Sequence, residues 1–214
     1  MAVQEDDHVS KTYYKIHNGR VVREWYKEEP QGVSRVEKRV TPESNKTVWF
    51  KNYIFKGILT DTFDKFNDRI DAMQFNIVLD EESVLVVNSG SSYHKSFLLT
   101  MANIPNNGEE IEFSPYNFTD RESGRKIVGM NLKLDSLVGD DNKQGKIPSF
   151  YTKDDPNGLP QPTSKVKAGK KIWNWTKQED FLEEAYDAWK EVFFAKVETK
   201  DTPDKETEAD DMPF

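Results

Sequence analysis

The chain has 214 residues, a formal net charge of -8, no Cys and only three His, which suits one ordinary core with accessory segments rather than two independent ones. Without Cys there are no disulfides, thiolate metal sites or Cys nucleophile, and His8, His17 and His94 are too scattered for a zinc cluster. No window approaches the ~20 consecutive apolar residues of a membrane helix, and the N-terminus MAVQEDDHVSK lacks an apolar signal segment, so a soluble, cytoplasmic protein without membrane contact is expected.

The first ten residues are polar and read as frayed. Over residues 12–40, TYYKIH and RVVREWY flank Asn18-Gly19, the signature of a type I′ hairpin, and VSRVEKRV reads as a further strand of mixed pattern. Residues 46–60 (KTVWFKNYIFKGILT) form a long β-branched and aromatic strand, with Gly57 where a barrel strand would bend sharply. After the polar loop DTFDKFND come a strand over residues 70–79, with Met73, Phe75, Ile77 and Leu79 on one face, and a short strand over 84–87.

In residues 91–104 the spacing of Tyr93, Phe97, Leu98 and Met101 predicts a helix with serines available as N-caps. Residues 109–118 and 126–138 alternate again around the loop TDRESGR. The order is three strands, a helix, then two strands, which is the element order of an OB barrel.

Residues 139–171 are rich in Gly, Pro, Asp and Lys and read as an irregular connector. Thr176-Lys177-Gln178-Glu179 matches a capping box, and Leu182, Ala185, Tyr186, Trp189, Val192 and Phe193 fall at helical spacing. A helix over residues 177–197 follows, its stripe reading as packing. The expected class is mainly β. Its five-stranded OB-type barrel (41–139) carries an N-terminal β-hairpin extension (1–40), a basic connector (140–175), a C-terminal helix packed on the barrel (176–198) and a disordered acidic tail (199–214).

The tail holds six acids (Asp201, Asp204, Glu206, Glu208, Asp210, Asp211) against Lys205, so the rest of the chain is close to balanced. Its last residues, Glu208-Ala209-Asp210-Asp211-Met212-Pro213-Phe214, resemble the acidic tip of bacterial single-stranded DNA-binding proteins. Phe214 offers an aromatic anchor, its free carboxylate a target for Lys or Arg, and Pro213 lowers the entropy lost on docking. A bare solubility tail would explain the acids but not Met212-Pro213-Phe214 at the extreme end. The arrangement and size are similar to those of phage-encoded single-stranded DNA-binding proteins. The tip carries that likeness residue by residue, the body by architecture alone.

The resemblance implies a non-enzymatic protein that coats and protects single-stranded DNA, without strong sequence preference, during replication, recombination and repair. It implies replication proteins (polymerase, primase or helicase, nuclease) recruited through Asp210, Asp211, Met212, Pro213 and Phe214, with a homo-oligomer as a further option. A phage-encoded protein would act in the bacterial host cytoplasm. The alternative is a replisome adaptor or recombination mediator that binds partners but little DNA itself.

DNA binding without sequence preference needs cations for phosphates and aromatic faces for bases. By period-2 alternation Trp49, Lys51, Tyr53 and Phe55 share one strand face, and Phe50, Ile54 and Ile58 the other. The face with Lys51 is the candidate platform, burial being the alternative for each aromatic. Arg121, Arg125 and Lys126 near Tyr116 form a second candidate, which also reads as a solvated loop. Residues 164–175 (SKVKAGKKIWNW) are the densest basic stretch, where Lys170, Lys171, Trp173 and Trp175 suit backbone tracking plus stacking, or pin the following helix.

For an enzyme there is no phosphate loop and no His-x-x-x-His, and Asp140-Asp141 and Asp154-Asp155 sit in turn-like contexts. No cofactor or metal is expected. A nuclease built from scattered carboxylates stays open, since tertiary clustering is invisible in a sequence.

Overall fold

The structure, a computed structural model, describes residues 10–25, 36–40, 47–138, 144–168 and 170–198. Asn18 and Gly19 take φ values of 49° and 73°, as a tight primed turn requires, and join β1 (Thr12–His17) to β2 (Arg20–Trp25). β3 (Val36–Val40) follows, within the piece read as a strand, whose earlier residues lie outside the described ones. The long aromatic strand is cut at Ile54 and Ile58 into β4 (Thr47–Tyr53), β5 (Phe55–Gly57) and β6 (Leu59–Asn67). β7 (Ala72–Leu79), β8 (Ser83–Asn88) and α1 (Ser92–Thr100) come next, α1 capped by the Ser91 side chain. A 3-10 turn, Met101–Asn103, leads to β9 (Ile111–Thr119) and β10 (Lys126–Val138). β11 (Gln144–Lys146), β12 (Thr163–Lys167), β13 (Lys170–Asn174) and α2 (Thr176–Glu198) complete the described chain.

These strands make three open sheets, and the expected OB barrel does not form. One sheet has seven strands in the order β3-β4-β2-β1-β8-β7-β6, one has four in the order β11-β10-β9-β5, and the third is the pair β12-β13. Closing the five expected strands into a barrel would require β10 to reach the free edge of β8. Instead β1 takes that edge in parallel, Tyr13 opposite Val84 and Lys15 opposite Val86. Among the described residues β10 pairs with β9 and β11 alone. The breaks at Ile54 and Ile58 let the same stretch of chain serve both large sheets, since β5 pairs with β9 while β4 and β6 stay in the seven-stranded sheet. The architectural likeness to phage-encoded single-stranded DNA-binding proteins therefore falls, and with it the single-strand-coating function, and its adaptor variant, that were drawn from it.

The core lies between the two large sheets and is closed by the helices. Phe75, Ile77, Leu79, Leu85 and Val87 alternate inward from β7 and β8, and Ile111, Phe113, Met130, Leu132 and Leu134 from β9 and β10. α1 adds Phe97 and Leu98, and the 3-10 turn Met101. The α2 stripe packs inward at most of its positions, with Leu182, Tyr186 and Phe193 buried and Ala185 and Trp189 against the core, whereas Val192, counted in the stripe by spacing, is exposed. Burying each such side chain contributes about 1.5–3 kcal/mol before entropy is subtracted. α2 also covers the outer edge of β6: Tyr186 OH lies 2.8 Å from Thr62 Oγ1, and Lys190 Nζ donates to the Thr62 carbonyl. That cover removes a template for unwanted strand pairing.

Candidate functional site

Strand alternation sorts β1 into two faces. Tyr14 and Ile16 pack against the core, whereas Tyr13 and Lys15 face the other way, beside Val22 and Glu24 of β2 and Val86 of β8. Beyond them the β6–β7 turn brings Asn67, Arg69 and Ile70, and β7 adds Gln74. Between the N-terminal hairpin and this turn runs an open groove of about 950 Å³. Ser91 and Tyr93, at the start of α1, complete its wall.

The groove is cationic. Among the described residues Lys11, Lys15, Arg23 and Arg69 line it against one acid, Glu24, which pairs with Lys15. Tyr13 is 54% exposed, so a phenol ring is offered to whatever lies there. Burial pushes the Tyr93 hydroxyl above the ordinary tyrosine range, and the Gly19 backbone pulls the other way, so this group stays a neutral donor. Next to the groove His17 stacks flat on Phe50 at 4.2 Å, and Lys15 stands 5.8 Å from the same ring centre. They cover a small second cluster of Val22, Val48 and Phe50 on this outer face.

The residues expected to form a stacking platform on the long strand are divided by the fold. Phe55 is 3% exposed and packs edge-on against Phe113 and Tyr14, so it serves the core. Tyr53 is half-buried against Tyr14, and Lys51 lies over the Tyr53 ring at 5.3 Å. Trp49 is half-buried. The face carrying Lys51 thus runs into the interior, because the lysine reaches out along an aromatic ring at the periphery.

The β9–β10 turn holds Arg121 and Arg125, and Lys126 opens β10, all three exposed. Asp120 organises it by accepting from the Ser123 N–H and Oγ and the Glu122 N–H, bonds that hold its carboxyl below the usual range. Tyr116 is half-buried, its ring against Phe118 on one side and over Gly129 on the other. The basic stretch read as connector is instead the hairpin β12–β13, exposed at every strand position. There Lys171 Nζ lies 4.1 Å from the Trp173 ring centre, Trp173 and Trp175 stand 6.1 Å apart, and Lys95 of α1 lies 4.5 Å over Trp175. Asp210, Asp211, Met212, Pro213 and Phe214 lie outside the described residues.

Lys11, Tyr13, Arg69 and Tyr93 were missed as site residues. Tyr13 alone among them had a signal, the alternation in TYYKIH, which read as a peripheral extension because nothing local announces a parallel pairing with a strand some 70 positions on. Among the described residues no group of three His, Asp or Glu could hold a metal ion, and no helix is long and apolar enough to cross a membrane. Comparison with known proteins found no matching family model, no matching curated protein and no matching solved structure.

Proposed function

We propose that the chain is a binding protein, rather than a catalyst, for an extended anionic ligand lying in the groove between the N-terminal hairpin and the β6–β7 turn. The observation that carries this reading is the groove's charge: among the described residues, four cations from three separate stretches of chain line one open trough with a single acid. Open ends suit a chain better than a small molecule, and converging cations steer and hold anions. Titration of labelled polyphosphate and of labelled oligo-dT at two salt concentrations tests it. Affinity that falls steeply as salt rises, and falls further in Lys11→Gln and Arg69→Gln, is the expected result. Binding of neither polyanion, or binding indifferent to both substitutions, would overturn it.

For the C-terminal tip we infer, on sequence alone, a docking role toward a basic and apolar pocket on another protein. Phe214 supplies the anchor, and Asp210 and Asp211 the charge. Deleting Phe214 should abolish partner capture while leaving groove binding unchanged, since every side-chain acid is kept. Retention of all partners by that variant would remove the tip from the account.

A further inference from the structure

We infer that the hairpin β12–β13 of one copy docks on helix α2 of a second copy, seating Ile172 and its surrounding lysines in an acidic recess between β6 and α2. The inference uses no residue of the groove and stands apart from the reading given for it. It starts from an anomaly of packing. Two-stranded hairpins are marginal in water unless a face is buried, yet here all ten strand residues are exposed, Val166 at 76% and Ile172 at 52% among them. Among the described residues nothing covers them.

One face of the hairpin is cationic. Register sets Thr163 opposite Asn174, Lys165 opposite Ile172 and Lys167 opposite Lys170, and by period-2 alternation these six residues share a face. Ile172 there stands among three lysines. None of the three enters an ion pair among the described residues, and the sequence from Thr163 to Trp175 holds no acid. Lysines around one aliphatic side chain are complemented by acids around an apolar floor.

That complement lies on α2. Between β6 and α2 is a shallow recess of about 810 Å³, floored by the half-buried Phe194 and lined by Asp61, Asp187 and Glu191. Lys190 lines it too, but is held by Asp61 at 3.8 Å and by the Thr62 carbonyl. Asp187 and Glu191 enter no ion pair among the described residues. Four helical residues apart, they are separated by about 6 Å along the axis. Lys165 and Lys167, two strand residues apart, are separated by about 6.6 Å. A strand laid along the helix therefore sets Lys165 against Glu191 and Lys167 against Asp187, which brings Ile172 level with the turn that carries Phe194.

The chain's own recess is not the one filled. Trp175 fastens the hairpin to the start of α2, its carbonyl accepting the Gln178 and Glu179 N–H groups at 2.8 and 3.1 Å, and Lys95 of α1 lies 4.5 Å over its ring. Asp187 and Glu191 lie about 16 and 22 Å further along the helix than Thr176. Each copy thus offers one hairpin and one recess, a head-to-tail contact that continues past the dimer unless a ring closes. So small and charged a contact should be weak and sensitive to salt.

Sedimentation of the full chain over a range of concentrations tests this. At low salt the average mass should climb past that of a dimer, and at high salt it should return to that of the monomer. Lys165→Glu with Lys167→Glu, and separately Asp187→Lys with Glu191→Lys, should each weaken association more than about tenfold. All four side chains are exposed, so the core is untouched. Mixing the two variants should restore association, because acidic hairpins then meet basic helices and basic hairpins acidic ones; damage to the fold would not be rescued in this way. In a mixture of isotope-labelled and unlabelled protein, a reagent that joins lysine to carboxylate should link Lys165 or Lys167 to Asp187 or Glu191 between copies. A chain that stays monomeric at every concentration, or variants that do not rescue each other, would sink the inference. Links from these lysines to acids of residues 201–211 within one copy would also sink it, by making the chain's own acidic tail the occupant.

Discussion

The hydroxyl groups of Thr62 and Tyr186 lie 2.8 Å apart, joining the edge strand β6 to helix α2 across 124 positions of sequence. Thr62 is wholly buried and Tyr186 is 7% exposed, so the pair is sealed from water. Tyr186→Phe leaves the threonine hydroxyl without its partner and should cost about 1–2 kcal/mol in urea unfolding. Burial, the largest cause, pushes the Tyr186 hydroxyl up to about 12. A raised acid favours the native state while protonated, so its contribution is complete below the ordinary tyrosine value near 10 and is lost as pH rises towards 12. Stability of the Phe variant should therefore depend less on pH across that window than that of the unaltered protein.

At the break between β5 and β6, Gly57 leaves room for a carboxylate. Asp80 Oδ1 accepts the Ile58 N–H at 2.9 Å, and a Cβ on residue 57 would stand 2.9 Å from Asp80 Cγ and closer still to Oδ2. Gly57→Ala should destabilise by about 1–3 kcal/mol through overpacking. Asp80 has a φ of 50°, so glycine is the replacement that removes its side chain without backbone strain. Asp80→Gly should relieve part of the Gly57→Ala cost, giving a coupling above about 0.5 kcal/mol in a double-mutant cycle. Simple additivity would mean that the two positions do not meet as described.

Acid should weaken the fold through His94. Its Nδ1 accepts the Gly90 N–H at 3.2 Å and its ring sits 4.4 Å from that of Phe75. Burial holds its pKa below the ordinary 6.5, and the nearby charge of Asp64 opposes this only in part. With the folded value depressed, the unfolded chain binds the proton more readily, so stability is full above pH 6.5 and declines as pH falls below it. Urea midpoints at pH 7.5 and pH 5.5 should differ more for the unaltered protein than for His94→Gln. Equal pH sensitivity would exclude His94 as the cause.

Groove cations should be countable by salt dependence. Each ligand phosphate neutralised adds about 0.7 to the slope of log affinity against log salt for a flexible strand. Lys11→Gln and Arg69→Gln should each lower the oligo-dT slope by about that amount, and the double variant by about twice as much. Arg121→Gln, in the solvated β9–β10 turn away from the groove lining, serves as a control with an unchanged slope.

What the sequence determined by itself was local. The Asn18-Gly19 turn needs two positive φ values that few dipeptides supply, α1 begins at a serine cap, and α2 shows its apolar stripe over many turns. These features depend on a few neighbouring residues, so they could be read in order along the chain. The tertiary structure decided which strand edges meet. β1 occupies the edge of β8 that β10 would need for closure, and that one parallel pairing replaces an expected barrel with open sheets and makes a groove of a supposed extension. Pairing in a sheet is a contest between edges with similar backbone hydrogen bonds, won by packing among residues far apart in sequence. The same holds for Phe55, aromatic beside Lys51 on a mixed strand face yet buried, because its surroundings come from β1 and β9 rather than from its own strand.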